Sequence, residues 1–144
     1  MSETKFEMTT INEDAFAIKA AGEGAKIRET TTTETTVLFN AVAGGSESIK
    51  PLIDKEPIEV INIVVTSADV HEEKEDETSP IINRPVVHFF TSDNKHYSSL
   101  SNGIVRTVSN LLACGLIPTP ETPIKIRFKT VETKRGTAHI FELA

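Results

Sequence analysis

Short apolar runs set between turn residues, one amphipathic stretch between the third and fourth of them, and no regular alternation of strands with helices predict a mainly β (all-β) domain. The expected architecture is a five-stranded Greek-key barrel with one α-helix between strands three and four. Residues 1–33 carry few large apolar side chains and read as a flexible or weakly docked N-terminal arm, with residues 34–144 as the folded domain. Within the arm, residues 12–21 can form a short helix capped by Asn12 and stopped by Gly22. Gly22-Glu23-Gly24 is no phosphate loop, because no strand precedes it and the third glycine of a dinucleotide fingerprint is missing.

Six threonines surround Glu34 in residues 30–36; β-branched side chains favour extended chain, so this stretch leads into the first strand, Val37–Ala43, ended by Gly44-Gly45. Ile58–Thr66 is the second strand and runs into an acidic loop over residues 69–77. Pro85–Thr91 is the third, followed by turn chemistry at Asp93-Asn94 and a short return strand at Lys95-His96-Tyr97. Ser99 or Ser101 can cap the helix, whose Ile104, Val105, Val108, Leu111 and Leu112 share one side, with Gly115 and Pro118 as stops. Pro118, Pro120 and Pro123 mark an extended connection. In the fourth strand Ile124, Ile126 and Phe128 alternate with Lys125, Arg127 and Lys129; Lys134-Arg135-Gly136 turns the chain into the fifth, Ala138–Leu143. Three strands, one helix and two strands is the order of an OB-fold.

A chain of 144 residues suits one domain with one core. No apolar run is long enough to cross a bilayer, and the N-terminus lacks the pattern of a secretion signal. A single cysteine excludes an internal disulfide and a cysteine-based zinc site, so a reducing cytoplasm is the expected setting. Cys114 is expected to be a small core hydrophobe. His71, His88, His96 and His139 show no ligand spacing, and neither a nucleophile elbow nor a Walker loop is present. No metal, cofactor or enzymatic activity is expected.

The formal charge of −6 argues at first against a nucleic-acid partner. It is unevenly spread, however. Residues 1–83 hold 7 basic and 17 acidic side chains, whereas residues 84–136 hold 8 basic and 3 acidic. Three features then converge on single-stranded nucleic acid. Lys125, Arg127 and Lys129 form a basic stripe, continued by Lys134 and Arg135 across the hairpin and extended by Arg84, Lys95 and Arg106. Phe89, Phe90 and Tyr97 lie near turns, where bases can stack on them; adjacent strand residues point to opposite faces, so one of the two phenylalanines belongs to the core. Tyr97, set among polar residues, is the foremost stacking candidate. The acidic loop can lie away from the basic face and leave it free.

Leu38–Gly45, the stretch Phe90–Ser101 with its turn, tyrosine and helix-opening serines, and the closing strands 124–128 and 137–143 resemble the single-stranded DNA-binding proteins of phi29-like bacteriophages. The resemblance covers residues 37–143. It implies an OB-like protein that coats and protects single strands, without sequence preference, during phage DNA replication. It places Tyr97 at the DNA surface and matches Phe39 to an aromatic of the first strand. The chain departs from the pattern in its long N-terminal arm, its acidic loop and its single tyrosine, which implies weaker stacking. The partners expected are single-stranded DNA, phage replication proteins through the acidic regions, and further copies of the chain on DNA, with no membrane. The alternative is a β-rich structural or protein-interaction module, virion-associated, whose threonine-rich segment pairs with a neighbour's sheet edge.

Overall fold

The second apolar run becomes the longest strand of the fold because Ile58, Val60, Ile61, Ile63, Val64 and Val65 are β-branched and pack on both sides of a sheet. In the computed structural model, which describes residues 26–72 and 76–144, the strands are β1 (Lys26–Thr30), β2 (Glu47–Ser48), β3 (Ile58–His71), β4 (Ile81–Thr91), β5 (His96–Ser99), β6 (Ile124–Thr133) and β7 (Gly136–Leu143). Two α-helices, α1 (Thr35–Ala43) and α2 (Asn102–Ala113), and a 3-10 turn at Lys50–Leu52 complete it. Strands account for 46% of the described residues, so the mainly β class holds, in a single curled half-barrel sheet. Its order is β2-β5-β4-β3-β6-β7, with β1 also paired to β3.

β3 is hydrogen-bonded antiparallel to β4 from Val60 to His71, and its other edge is shared: residues 58–60 pair with β6, residues 64–67 with β1. The register slips between Val60 and Asn62. This bulge at Ile61 lies where the strand passes from one partner to the next, and bulges bend and twist a strand. The main core lies on one face, here the core face. There Ile63, Val65, Val87, Phe89, Ile126, Phe128 and Phe141 pack with Ile104, Val108, Leu111 and Leu112 of α2. Phe89, Phe128 and Phe141 meet edge to face, with ring centroids 5.3–6.0 Å apart. α2 lies against β4 and β7 and covers the open side of the sheet.

The run Val37–Ala43 departs from its expected strand and is the helix α1. Val37, Leu38, Ala41 and Val42, at i, i+1, i+4 and i+5, turn inward, while Phe39 is 66% exposed. The helical stripe buries Ala41 and partly buries Val37, Leu38 and Val42, where alternation would bury Phe39 and expose Leu38, so packing overrides the β-propensity of the threonines. The barrel's extra strand lies instead at Lys26–Thr30, inside the stretch expected to be an arm. Ile27, Thr30, Thr31 and Thr32 are buried there, and threonines that bury by hydrogen bonding do not register as core in an apolar count. The expected helix over residues 12–21, and Gly22-Glu23-Gly24, lie outside the described residues.

The acidic segment is shorter as a loop than expected. Asp69, Val70 and His71 continue β3 opposite Asn83, Ile82 and Ile81, and the turn closes over Asp76–Ser79; Glu73-Lys74-Glu75 lie outside the described residues. Ser101 stands at the N-cap of α2 but its hydroxyl makes no capping bond, and Ser99 Oγ instead accepts from the Ser101 amide at 3.1 Å. Cys114 is exposed at the helix C-terminus, not a core residue, because the helix ends there with Gly115 in the left-handed region (φ 82°).

α2 seats on β7 by a close backbone approach at Gly103. A Cβ added there would lie 2.2 Å from the carbonyl oxygen of His139. Gly103→Ala is therefore expected to lose about 1–3 kcal/mol despite alanine's higher helix propensity. Thermal denaturation checks this: Tm should fall by several degrees, and an unchanged Tm would contradict the tight seat.

Candidate nucleic-acid interface

Register divides the candidate residues between the two faces. Directly opposed strand residues share a face, and neighbours along a strand alternate. Phe89 pairs with Tyr97 and with Ile63, which places Tyr97 on the core face. Phe89 is fully buried among aromatic rings and has no face to offer a base. Tyr97 is half-buried against the main core, less free than its polar sequence neighbours imply. Lys125, Arg127 and Lys129 take the opposite, back face of β6, opposite Glu59, Glu142 and Ile140 respectively.

Phe90 and His96 pair with each other across β4 and β5, and Phe90 with Asn62 of β3, all on the back face. The two rings are stacked, 4.3 Å apart and 18° from parallel. One lateral line across the back face therefore runs from His96 through Phe90 to Asn62. The Glu59–Lys125 pair lies on the same face, three residues earlier along β3, on the other side of the bulge. α1 rests on this face over Phe90, Val64 and Ile61 and holds Phe39 outward.

The remaining cations are placed differently. Lys134 and Arg135 stand exposed at the β6–β7 turn, beyond the basic row. Lys95 is exposed in the β4–β5 turn beside His96. That turn is held by Asn94 in the left-handed region (φ 65°) and by the Thr91 hydroxyl, which accepts from the Lys95 amide at 3.0 Å and donates to Asp93. Arg106 points to solvent from α2. Arg84 Nη2 donates to the Leu100 carbonyl (2.9 Å) and to Asn102 Oδ1 (2.8 Å), so its guanidinium anchors the start of α2. It also lines a cleft of about 550 Å³ with Val70, His71, Glu72, Leu100 and Ser101. Lys129 Nζ pairs with Glu142 Oε1 at 2.9 Å, which partly neutralises the row.

Asp69 lies ten residues along β3 from Glu59, about 30 Å in an extended chain. The described acids of the β3–β4 hairpin thus sit far from the β6 row.

The chain matches the family of phage single-stranded DNA-binding proteins over residues 24–143. It belongs to that family. No curated protein and no solved structure shows significant similarity to it. For a phage single-stranded DNA-binding protein, the back face has the two ingredients that such binding uses, cations for phosphates and rings for bases. Two residues of this face, Phe39 and His96, are absent from the sequence-based candidates. Phe39 follows a threonine-rich stretch of strand propensity, and its helical period carries the missing signal. His96 is hidden because only register shows that it stacks on Phe90.

Beneath the face lies a buried polar chain. His88 Nδ1 is 2.9 Å from His96 Nε2, and His88 Nε2 is 3.2 Å from Thr66 Oγ1. Burial, reinforced by His96, pushes His88 down to about 4, and burial also pushes His96 down. A histidine whose folded value is depressed favours the fold in its neutral form, since the unfolded chain takes up the proton first. Its contribution is complete above the unfolded value near 6.5 and is lost as pH falls toward 4. Folding stability should therefore drop by on the order of 2–3 kcal/mol from this group between neutral pH and about pH 4. Urea denaturation across that range checks it: His88→Gln, which cannot titrate, should flatten the dependence, and an equally steep dependence in the variant would refute the assignment.

Proposed function

We propose that this protein coats and protects single-stranded DNA without sequence preference during phage DNA replication, in the host-cell cytoplasm. The reading rests on the family match over residues 24–143. It is supported by a cationic row, Lys125, Arg127 and Lys129, that ends in the exposed Lys134 and Arg135. Backbone phosphates are the same whatever the sequence, so charge contacts of this kind bind without preference. One half-barrel should occlude about 4–16 nucleotides. Lys95 borders the same face, whereas Arg84 is committed to α2 and Arg106 stands on that helix's solvent side. Replication proteins are proposed to meet the acidic hairpin end, and further copies to lie along the strand. The protein carries no catalytic role in this reading.

Titration of a fluorescently labelled oligo-dT at rising salt tests the proposal. Binding should be readily measured at low salt and weaken steeply, and no binding at low salt would reject it. Lys134→Ala combined with Arg135→Ala should lower the salt slope by about 1.4, near 0.7 for each single-strand phosphate that is no longer neutralised. An unchanged slope would take those two residues out of the track. Glu142→Gln should act in the opposite direction. Releasing Lys129 from its ion pair should tighten low-salt binding by about two- to five-fold, and the gain should fade at high salt. Unaltered affinity would show that Lys129 stays clear of the strand.

A further inference from the structure

We infer that Phe39, with His96 on the same face, is the base-stacking site of this protein, on the cationic back face and not at Tyr97. The inference rests on the function proposed above and adds the location of the aromatic contacts. Four observations carry it. Phe39 is 66% exposed, the most exposed large apolar side chain among the described residues. It sits on α1, whose inward side chains pack on Phe90 and Val64 of the back face. His96 lies flat on the same Phe90, with its ring centroid 4.3 Å away, and is itself only half-buried. Lys125 stands on the same back face, on β6, paired with Glu59 three residues before Asn62 along β3.

Phe90 thus supports both groups, the helix that carries Phe39 and the imidazole of His96. His96 is backed by the flat face of Phe90, and Phe39 is turned outward while Val37, Leu38, Ala41 and Val42 occupy the inward side of α1. Apart from Glu34 at its N-cap, α1 bears no charged side chain, so the helical turns that carry Phe39 are uncharged. A ring held out in water without apolar cover offers its face to a flat partner, and the bases of a single strand are such partners whatever their identity. Tyr97, by contrast, is directed with Phe89 into the core face and is separated from the cationic row by the sheet itself.

Two substitutions at Phe39 separate stacking from simple apolar contact. Phe39→Leu keeps an apolar side chain without the ring, and should weaken oligo-dT binding by about 5- to 150-fold with Tm unchanged. Phe39→Trp keeps a ring and supplies the only tryptophan of the chain. It should bind like the parent, and its emission should be quenched as oligo-dT is added. His96→Gln, which retains a hydrogen-bonding group for His88 while removing the second ring, should weaken binding in the same assay. Parent-like affinity of Phe39→Leu together with an unquenched Phe39→Trp would overturn the inference while leaving the proposed function standing. Failure of the parent protein to bind oligo-dT would overturn both. Weakened self-association of Phe39→Leu in sedimentation, with DNA affinity intact, would assign the ring to a contact between copies and likewise overturn it.

Discussion

Most of the architecture hangs on β3, one strand required to satisfy three neighbours. β4 runs along one of its edges for nearly its whole length, while β6 and β1 divide the other edge between them. The exchange of partners comes at the bulge beside Ile61, where an extra residue turns the strand. With both faces covered through residues 62–67, the strand must carry polar groups only where each finds a partner. Asn62 meets the Thr31 hydroxyl, Thr66 meets His88, and no buried side-chain nitrogen or oxygen among the described residues is left without a partner. Those hydrogen bonds dock the 26–43 segment and fix the back face.

The two faces then divide the work. The core face is aromatic and aliphatic, closed by α2 through the Gly103 approach to His139. The back face is thinly covered: Ile27, Ala41, Val64 and Phe90 make up its buried apolar cluster. Beyond that cluster it is open to charge and to solvent, with Glu59 and Glu142 interleaved among Lys125, Arg127 and Lys129. Such interleaving keeps the row from being a concentrated positive field and makes its attraction to a polyanion sensitive to salt. The net charge of −6 has its origin elsewhere, in residues 1–83, with 17 acidic side chains against 7 basic ones. The described hairpin acids lie at the far end of β3, so the total charge misrepresents the surface near β6.

Strong periodicity is legible in the sequence, and weak periodicity is not. The alternation of Ile124–Lys129, the β-branched run of Ile58–Thr66 and the stripe of α2 specify their elements because each sets a regular series of apolar side chains into the core. α1 resists such a reading because a nine-residue segment with threonines at its start has helical spacing but strand propensity, and only the surface of Phe90 and Val64 decides between them. β1 is equally hard to read because, beside Ile27, the burial of the strand and the two residues after it is by threonine, at Thr30, Thr31 and Thr32. For the site, the residue types of the β6 row and its turn are readable as a cationic hairpin. Which aromatic shares their face is not, since that depends on a single-residue slip at the bulge and on pairing between strands far apart in sequence.

This division makes the binding face separable from the fold. Lys125, Lys134, Arg135 and Phe39 are exposed and carry no core contact, so their chemistry can change with little consequence for packing. Phe89, Tyr97 and Phe90 cannot be altered so freely. Phe89 holds two other rings, Tyr97 leans on the core, and Phe90 supports both α1 and His96. A single tyrosine in the chain is therefore no measure of how many rings can meet DNA. The relevant count is of aromatic groups on the face that also carries cations, and that count depends on register and on the helical turn of residues 35–43.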